Sequence, residues 1–479
     1  MAFFGADRLV LGVLLIIVLA FAISNVTPKR MSNGSYDYGT AAYNLITTGT
    51  YSADPGDTGG KGRGLGRQPL YPAFLALGMS LFWDHDSRDL MCLHTGAPEC
   101  QSVIVKLKTM QAALVVVIAL LVYGAALLLI GRGWLAVLAV ALFALQGNAI
   151  FYVDKLMSEV LATAILVLHA YLLVRLAQDP RHRGFAVLAG ITLGMLYLIK
   201  QIFIIYILGG IGLVAVAALF GPARRHVVFV PAFIALAVAA AVTGAWGARD
   251  IGTAGKAQDQ SLRGIEVVAM RAVMDTLSWD QIWTSYLFYV PFEHGRLAKG
   301  MLAPDDLRTL GAIPAKYLAP GAGQVNIITQ RIESDPRPRK LTKYLVPVEI
   351  IFENLPKHLA LTPALLWRAM GPKVAKNWTG IDPVDSALRS ISRTLTMLLI
   401  PAVFWAAVVA VRRRRWPMAV FLLPSLYLIC IHPLITHGTA RLTAPILPCA
   451  VVALCWLIAV YRRDRLARKA KTGGTLSPG

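Results

Sequence analysis

Residues 108–130, KTMQAALVVVIALLVYGAALLLI, decide the fold class. After Lys108 no charge occurs until Arg132. A run of roughly 20 apolar residues is the length an α-helix needs to cross about 30 Å of hydrocarbon. Only a helix pairs its own backbone N–H and C=O groups within one such segment. Working outward, nine more segments share this character: 9–26, 134–152, 157–177, 184–199, 202–220, 227–246, 391–411, 417–434 and 443–461. Residues 184–220 form one apolar run interrupted only by Lys200 and Gln201, too long for a single crossing, so we divide it there. The pattern predicts an all-α integral membrane protein of about ten transmembrane helices.

Composition agrees. Of 479 residues, 56% are hydrophobic and 15% charged, whereas a soluble domain is about a quarter charged. The net charge of +21 would suggest a nucleic-acid partner in a soluble protein. Here its placement argues otherwise. The short loops on one side, with the C-terminal tail, hold 17 basic residues against three acids. The long loop 27–107 is balanced at seven and seven, and residues 247–390 carry 18 basic residues against 14 acids. This is the positive-inside pattern. It predicts both termini in the cytoplasm of a plasma (inner) membrane, with membrane lipids and not nucleic acid as the surroundings. The first segment has Asp7 and Arg8 before it and no small-residue cleavage site after it, so it reads as an uncleaved anchor.

Three regions follow: 1–250, a transmembrane module whose first outer loop is 27–107; 251–390, a second large outer loop; and 391–479, the last transmembrane helices and basic tail. In the first loop, residues 35–45 read as a short amphipathic helix, 48–66 as a mobile Gly-, Asp- and Ser-rich stretch, and 68–83 as an interfacial helix. In the second, 343–370 reads as amphipathic helix hugging the membrane. No internal repeat is evident, which weighs against an inverted-repeat transporter. Cys92 and Cys100 share the first outer loop, where a disulfide can persist. A bridge and two free thiols are equally open from sequence.

Ionisable residues near hydrocarbon are costly and so mark sites. Asp37, Asp154, Glu159, Lys200, Arg249, His432, His437 and Arg441 all fall on the outer side of this topology. Singly, each is an ordinary helix-end or snorkelling residue. Together they suit a cavity for an anionic substrate with a hydroxyl to deprotonate. Asp154 and Glu159, five apart across a helix start, leave open a divalent metal or plain salt bridges with Lys155. His432 and His437 leave open the same choice between a metal and structural hydrogen bonds.

The segment Tyr36-Asp37-Tyr38 with Ala41, Asn44, Thr48, Gly49 and Tyr51, followed by Arg67-Gln68-Pro69-Leu70-Tyr71-Pro72, resembles a known first-loop signature. It is similar to that of the GT-C superfamily of polyprenyl-phosphate-dependent glycosyltransferases, in the branch of protein O-mannosyltransferases and the lipid A aminoarabinose transferase. Met157-Ser158-Glu159, Leu198-Ile199-Lys200, Trp246 to Asp250, and Arg441-Leu442 with Pro445 and Pro448 resemble later blocks in the family's order. The resemblance covers 9–250 and 430–460, and 251–390 shows no match.

The resemblance implies a membrane glycosyltransferase that moves a sugar from a polyprenyl-phosphate donor to a glycan, lipid or protein acceptor outside the cytoplasm. Asp37 would be the general base, with inversion at the anomeric carbon; helix capping is its other reading. Lys200, Arg249 and Arg67 would hold the donor phosphate, against a salt bridge with Asp250 for Arg249 and membrane anchoring for Lys200 and Arg67. His437 and Arg441 would lie on the acceptor side. Leu442 stands where relatives keep Tyr, and Tyr38 follows Asp37 where some mannosyltransferases carry a second acid. A transporter or flippase for lipid-linked saccharides is the competing class.

Overall fold

The computed structural model describes residues 3–31, 35–52, 68–84, 89–220, 226–253, 262–289, 325–369, 381–436 and 444–473. Every regular element among them is helical. In chain order these are α1 (Phe3–Ser24), α2 (Tyr36–Thr47), α3 (Leu70–Phe82), α4 (Leu90–Thr95), α5 (Pro98–Ile130), α6 (Gly133–Gln146), α7 (Asn148–Val153), α8 (Glu159–Gln178), α9 (Arg183–Tyr197), α10 (Phe203–Phe220) and α11 (His226–Thr253). There follow α12 (Leu262–Asp275), α13 (Trp279–Phe288), α14 (Val325–Ser334), α15 (Arg339–Glu353), α16 (Leu355–Ala369), α17 (Asp382–Arg412), α18 (Trp416–Ile435), a 3₁₀ turn (Ala444–Ile446) and α19 (Leu447–Gly473).

Seven helical stretches among the described residues are long and apolar enough to cross a membrane, within α1, α5, α8, α11, α17, α18 and the 3₁₀ turn with α19. Their common core is dry: Ile118 and Val122 of α5, Leu166 of α8, Val403 of α17 and Val451 of α19 are fully buried. The outward faces are apolar as well, with Leu9 71% and Ile16 69% exposed. A helix apolar on all sides belongs in lipid, so this chain is an all-α, multi-pass membrane protein.

The expected ten segments all fall on helices, with differences of length. Segment 134–152 is not one helix. Gly147, at φ +64°, ends α6 and begins the short α7, and the Asn148 amide turns to donate to Gln146 Oε1 at 3.2 Å. Segment 184–199 is the 15-residue α9. It lies tightly on α11 through Gly190-Ile-Thr-Leu-Gly194, the spacing by which small residues let membrane helices approach. A Cβ on Gly190 would come within 2.4 Å of the Ala235 carbonyl oxygen, and one on Gly194 within 2.7 Å of Val242. His169 of α8 reaches the same helix, its Nδ1 3.0 Å from Thr192 Oγ1.

The described part of 251–390 builds two small apolar centres. Met274, Leu277, Ile282 and Leu361 form one, Ala272, Val273, Val346 and Ile350 the other. It is tied to α18 by Arg271, whose Nε donates to the Pro433 carbonyl at 3.1 Å.

Candidate active site

The stretch between α1 and α5 carries the candidate site, and its first helix is fixed by contacts with a turn some 120 residues away. Ser35 Oγ donates to the Lys155 carbonyl, and the Tyr38 and Ser158 hydroxyls lie 3.4 Å apart. Both place the first turn of α2, which holds Asp37, against the 154–158 turn between α7 and α8. A Cβ on Gly39 would come within 2.8 Å of Met31 Sδ, so glycine lets the incoming chain lie over this helix.

On the other side of α2 stands α4. The Tyr36 and His94 rings are 4.6 Å apart, and Thr40 Oγ1 lies 3.3 Å from His94 Nε2. Burial holds the His94 imidazole below its ordinary range, against the upward pull of the Asp37 and Asp89 carboxylates. The short α4 needs its caps. Asp89 accepts from the Met91 and Cys92 amides at 2.9 and 3.2 Å, and Gly96 closes the helix at φ +73°. Cys92 and Cys100 form a disulfide, which ties α4 to the first turn of α5.

Below them lies a buried ion pair. Lys108 Nζ donates to Asp154 Oδ1 at 2.8 Å and to the Thr27 and Lys29 carbonyls at 2.7 and 3.1 Å. An ammonium has three donors, and all three are used. Asp154 Oδ1 also accepts from the Thr27 amide and hydroxyl, and Lys155 stands 3.8 Å from Asp154 Oδ2. A second pair lies beyond the turn, with Lys200 Nζ 3.1 Å from Oε1 of the buried Glu159.

The rest of that stretch reaches the same place. The Leu70 amide donates to the Leu198 carbonyl at 3.0 Å, joining the start of α3 to the segment that presents Lys200. Tyr71 donates to Gln111 Oε1 at 2.9 Å, and Gln111 to the Val153 carbonyl at 3.0 Å. Tyr51 meets Trp246 of α11 edge to face at 5.3 Å.

Asp37, Asp154, Glu159 and Lys200 therefore stand along one seam between the first loop and the ends of α7 to α9. Arg249 has its backbone in α11, one turn beyond Trp246, and its side chain is outside the described residues. Arg67, His437, Arg441 and the 53–66 stretch also lie outside them. The carboxylates expected to leave a metal site open are committed to separate lysines. Among the described residues no three His, Cys, Asp or Glu side chains are grouped so that they could hold a metal ion. Sequence reasoning missed Lys108 and His94, and it named Tyr38 and Ser158 only as members of the family blocks, without their contact. Lys108 had left a signal, as the one charge opening the most apolar segment.

Chemically, the seam offers a carboxylate on the first turn of a fixed helix, with cations in an adjoining strip. Such a strip can take a proton at one end and steady an anion at the other.

No family model matches the chain, and no curated protein matches it. Among solved structures it is similar to the archaeal oligosaccharyltransferase AglB from Archaeoglobus fulgidus, solved with an inhibitory peptide and a dolichol-phosphate. The identity is 13%, the TM-score 0.49, and the match covers 99% of this chain and 52% of that one. The apo form of the A. fulgidus oligosaccharyltransferase matches at 15% identity and TM-score 0.48, over 99% and 52% of the two chains. ArnT from Cupriavidus metallidurans, bound to undecaprenyl phosphate, matches at 12% identity and TM-score 0.36, over 99% and 81%. The chain spans about half the length of the oligosaccharyltransferase.

Proposed function

We propose that this protein is a GT-C-type membrane glycosyltransferase that transfers a sugar from a polyprenyl-phosphate donor to an acceptor hydroxyl on the extracytoplasmic side of a plasma membrane. The observation that carries this reading is the placement of Asp37: the Ser35–Lys155 and Tyr38–Ser158 contacts set it beside the turn that leads to the Glu159–Lys200 pair.

An acceptor hydroxyl is a weak nucleophile. A carboxylate in hydrogen-bond reach removes its proton as its oxygen attacks the anomeric carbon. The Asp37 carboxylate accepts that proton, the new C–O bond forms, and the bond from the anomeric carbon to the phosphate oxygen breaks on the opposite face. The electron pair leaves with the polyprenyl phosphate, and the configuration inverts. Charge grows on the leaving phosphate as the bond breaks, and fixed cations stabilise that growth. Lys200, Arg249 and Arg67 supply them. The 251–390 loop, which matches no family block, serves the acceptor.

Purified protein incubated with polyprenyl-phosphate sugars tests this. Free polyprenyl phosphate is expected, with Asp37→Asn reduced to near background. Turnover by Asp37→Asn equal to wild type would refute the mechanism. Movement of the intact donor across a bilayer without release of polyprenyl phosphate would make the protein a flippase instead.

A further inference from the structure

The face opposite the candidate site holds a cavity of its own. It has a volume of about 530 Å³ and lies among the C-terminal ends of α5 and α17, the α17–α18 turn and the middle of α19. Leu129 of α5 lines it, roughly 30 Å along the helix axis from Lys108 at 1.5 Å per residue. That distance matches the hydrocarbon thickness of a bilayer. With Lys108 near one interface, the cavity opens at headgroup depth in the other leaflet.

Its lining has two characters. Leu129, Trp456 and Val460 make an apolar wall, and Trp456 and Val460 are buried. Arg413, Arg415 and Arg463 face them, with Asp464 the one acid in the lining, leaving two uncompensated positive charges. Arg413 is held by Asp464, 2.9 Å from Nη1 to Oδ1. Arg463 donates to the Ile130 carbonyl at 3.0 Å and so caps the C-terminal end of α5. Arg415 makes no hydrogen bond or ion pair through its guanidinium with any described residue. Arg462 lies over the Trp134 ring at 5.4 Å, an aromatic at the depth where membrane proteins place them. Positive-inside bias requires basic residues on this face, but it does not require a hollow among them with an apolar wall.

We propose that this cavity binds the phosphate headgroup of an anionic phospholipid. Arg415 and Arg463 contact the phosphate, and Arg413 is positioned by Asp464. Trp456, Leu129 and Val460 cover the glycerol and the first acyl carbons. A guanidinium is suited to phosphate because its planar fork donates two parallel bonds, and basic pockets at helix ends are where anionic headgroups settle. The wall selects a lipid over a free anion, since inorganic phosphate has nothing to place against Trp456.

The test uses the full chain in phosphatidylcholine nanodiscs. Binding of a fluorescent phosphatidylglycerol is measured, along with the thermal midpoint when phosphatidylglycerol, more phosphatidylcholine or inorganic phosphate is added. Phosphatidylglycerol is expected to raise the midpoint, while the other two leave it in place. Arg415→Gln, at a position with no protein partner to lose, should weaken phosphatidylglycerol about fivefold, the scale of one basic residue at an anionic lipid surface. Arg181→Gln, an exposed arginine outside the cavity, should not. Equal weakening by Arg181→Gln, or no preference over phosphatidylcholine, would overturn the proposal. A midpoint rise with inorganic phosphate that equals the lipid's would overturn it in favour of a free-anion site.

Discussion

Lys108 Nζ lies 2.8 Å from Asp154 Oδ1, with no part of the lysine side chain exposed. The pair joins the third turn of α5 to the turn after α7, and through the Thr27 and Lys29 carbonyls it also holds the chain leading to Asp37. A buried pair is weak as a source of net stability but costly to break on one side, because the remaining charge stays desolvated. Lys108→Met should therefore lower stability by about 3 kcal/mol, read as a fall in thermal midpoint in detergent. Lys108→Met with Asp154→Leu should recover much of that loss. If the double variant is as unstable as the single one, the stranded carboxylate is not the cause.

Lys200 and Glu159 form the other pair at the seam, at 3.1 Å. If Lys200 steadies the leaving phosphate, Lys200→Ala should reduce kcat about a hundredfold, the loss seen when one fixed donor to a developing charge is removed. Glu159→Gln should reduce it less, by loosening the ammonium. The double variant should then be no worse than Lys200→Ala alone, because both act through one group. Turnover with a polyprenyl-phosphate sugar reads all three, and fully additive losses would separate Glu159 from Lys200.

The two pairs also show what the sequence could and could not disclose. The charge-free stretch after Lys108 and the split at Lys200 were legible, because membrane crossing constrains length and polarity locally. Asp154 and Glu159 were legible as costly acids. Of their partners only Lys155 was, and it does stand 3.8 Å from Asp154; the closer ones were not, as Asp154 finds Lys108 46 residues back and Glu159 finds Lys200 41 residues on. Those separations are set by which helices pack, and no local pattern encodes that. The break at Gly147 escaped for a different reason. Gln146-Gly147-Asn148 is a short polar interruption in an otherwise apolar run, which alone does not tell a break from a tolerated glycine, and Gly147 at positive φ makes the turn.

The position of His94 gives a pH dependence. Burial lowers its folded-state pKa below the ordinary 6.5, with Asp37 and Asp89 opposing. Between the folded value and 6.5 the unfolded chain binds more protons, so stability rises with pH across that window. It is complete above 6.5 and declines as the pH falls below it. His94→Gln should flatten the acid side of a midpoint-against-pH curve for the protein in detergent. A curve unchanged by the substitution would remove His94 as the source.

The disulfide holds that histidine in place. Cys92 and Cys100 are eight residues apart and both buried. Closing so short a loop restricts the unfolded chain by an amount worth about 2.5 kcal/mol in the loop-entropy picture. Cys92→Ser with Cys100→Ser should lower the midpoint accordingly and speed amide exchange in Leu90–Thr95. With both sulfurs shielded, dithiothreitol should reduce the native protein slowly and the heat-unfolded protein fast. Equal rates would mean that the bridge is open to solvent.

Within 251–390, Arg271 is fully buried and reaches four partners. It pairs with Asp275 one helical turn on, and donates to the Pro433 carbonyl at 3.1 Å, the His358 carbonyl at 2.7 Å and Thr362 Oγ1 at 3.3 Å. Asp275 in turn lies 2.7 Å from His358 Nδ1. Pro433 sits in the last turn of α18, where a carbonyl has no intrahelical donor, so Arg271 caps that helix from another part of the chain. The cap fixes the end of α18 just before residues 437–443, and with it the docking of α12 and α16. Arg271→Met would strand Asp275 beside His358 and leave the Pro433 carbonyl without its donor, a loss of about 3–5 kcal/mol for a one-sided break of a buried pair. Arg271→Lys keeps the charge but cannot span the same set of acceptors, because an ammonium lacks the planar fork. Amide exchange should therefore rise in α12, α16 and the last turn of α18 in both variants, more in Arg271→Met, while α5 and α8 keep their protection. Exchange that rises equally throughout the bundle would show that Arg271 supports global folding rather than the seating of this stretch on α18.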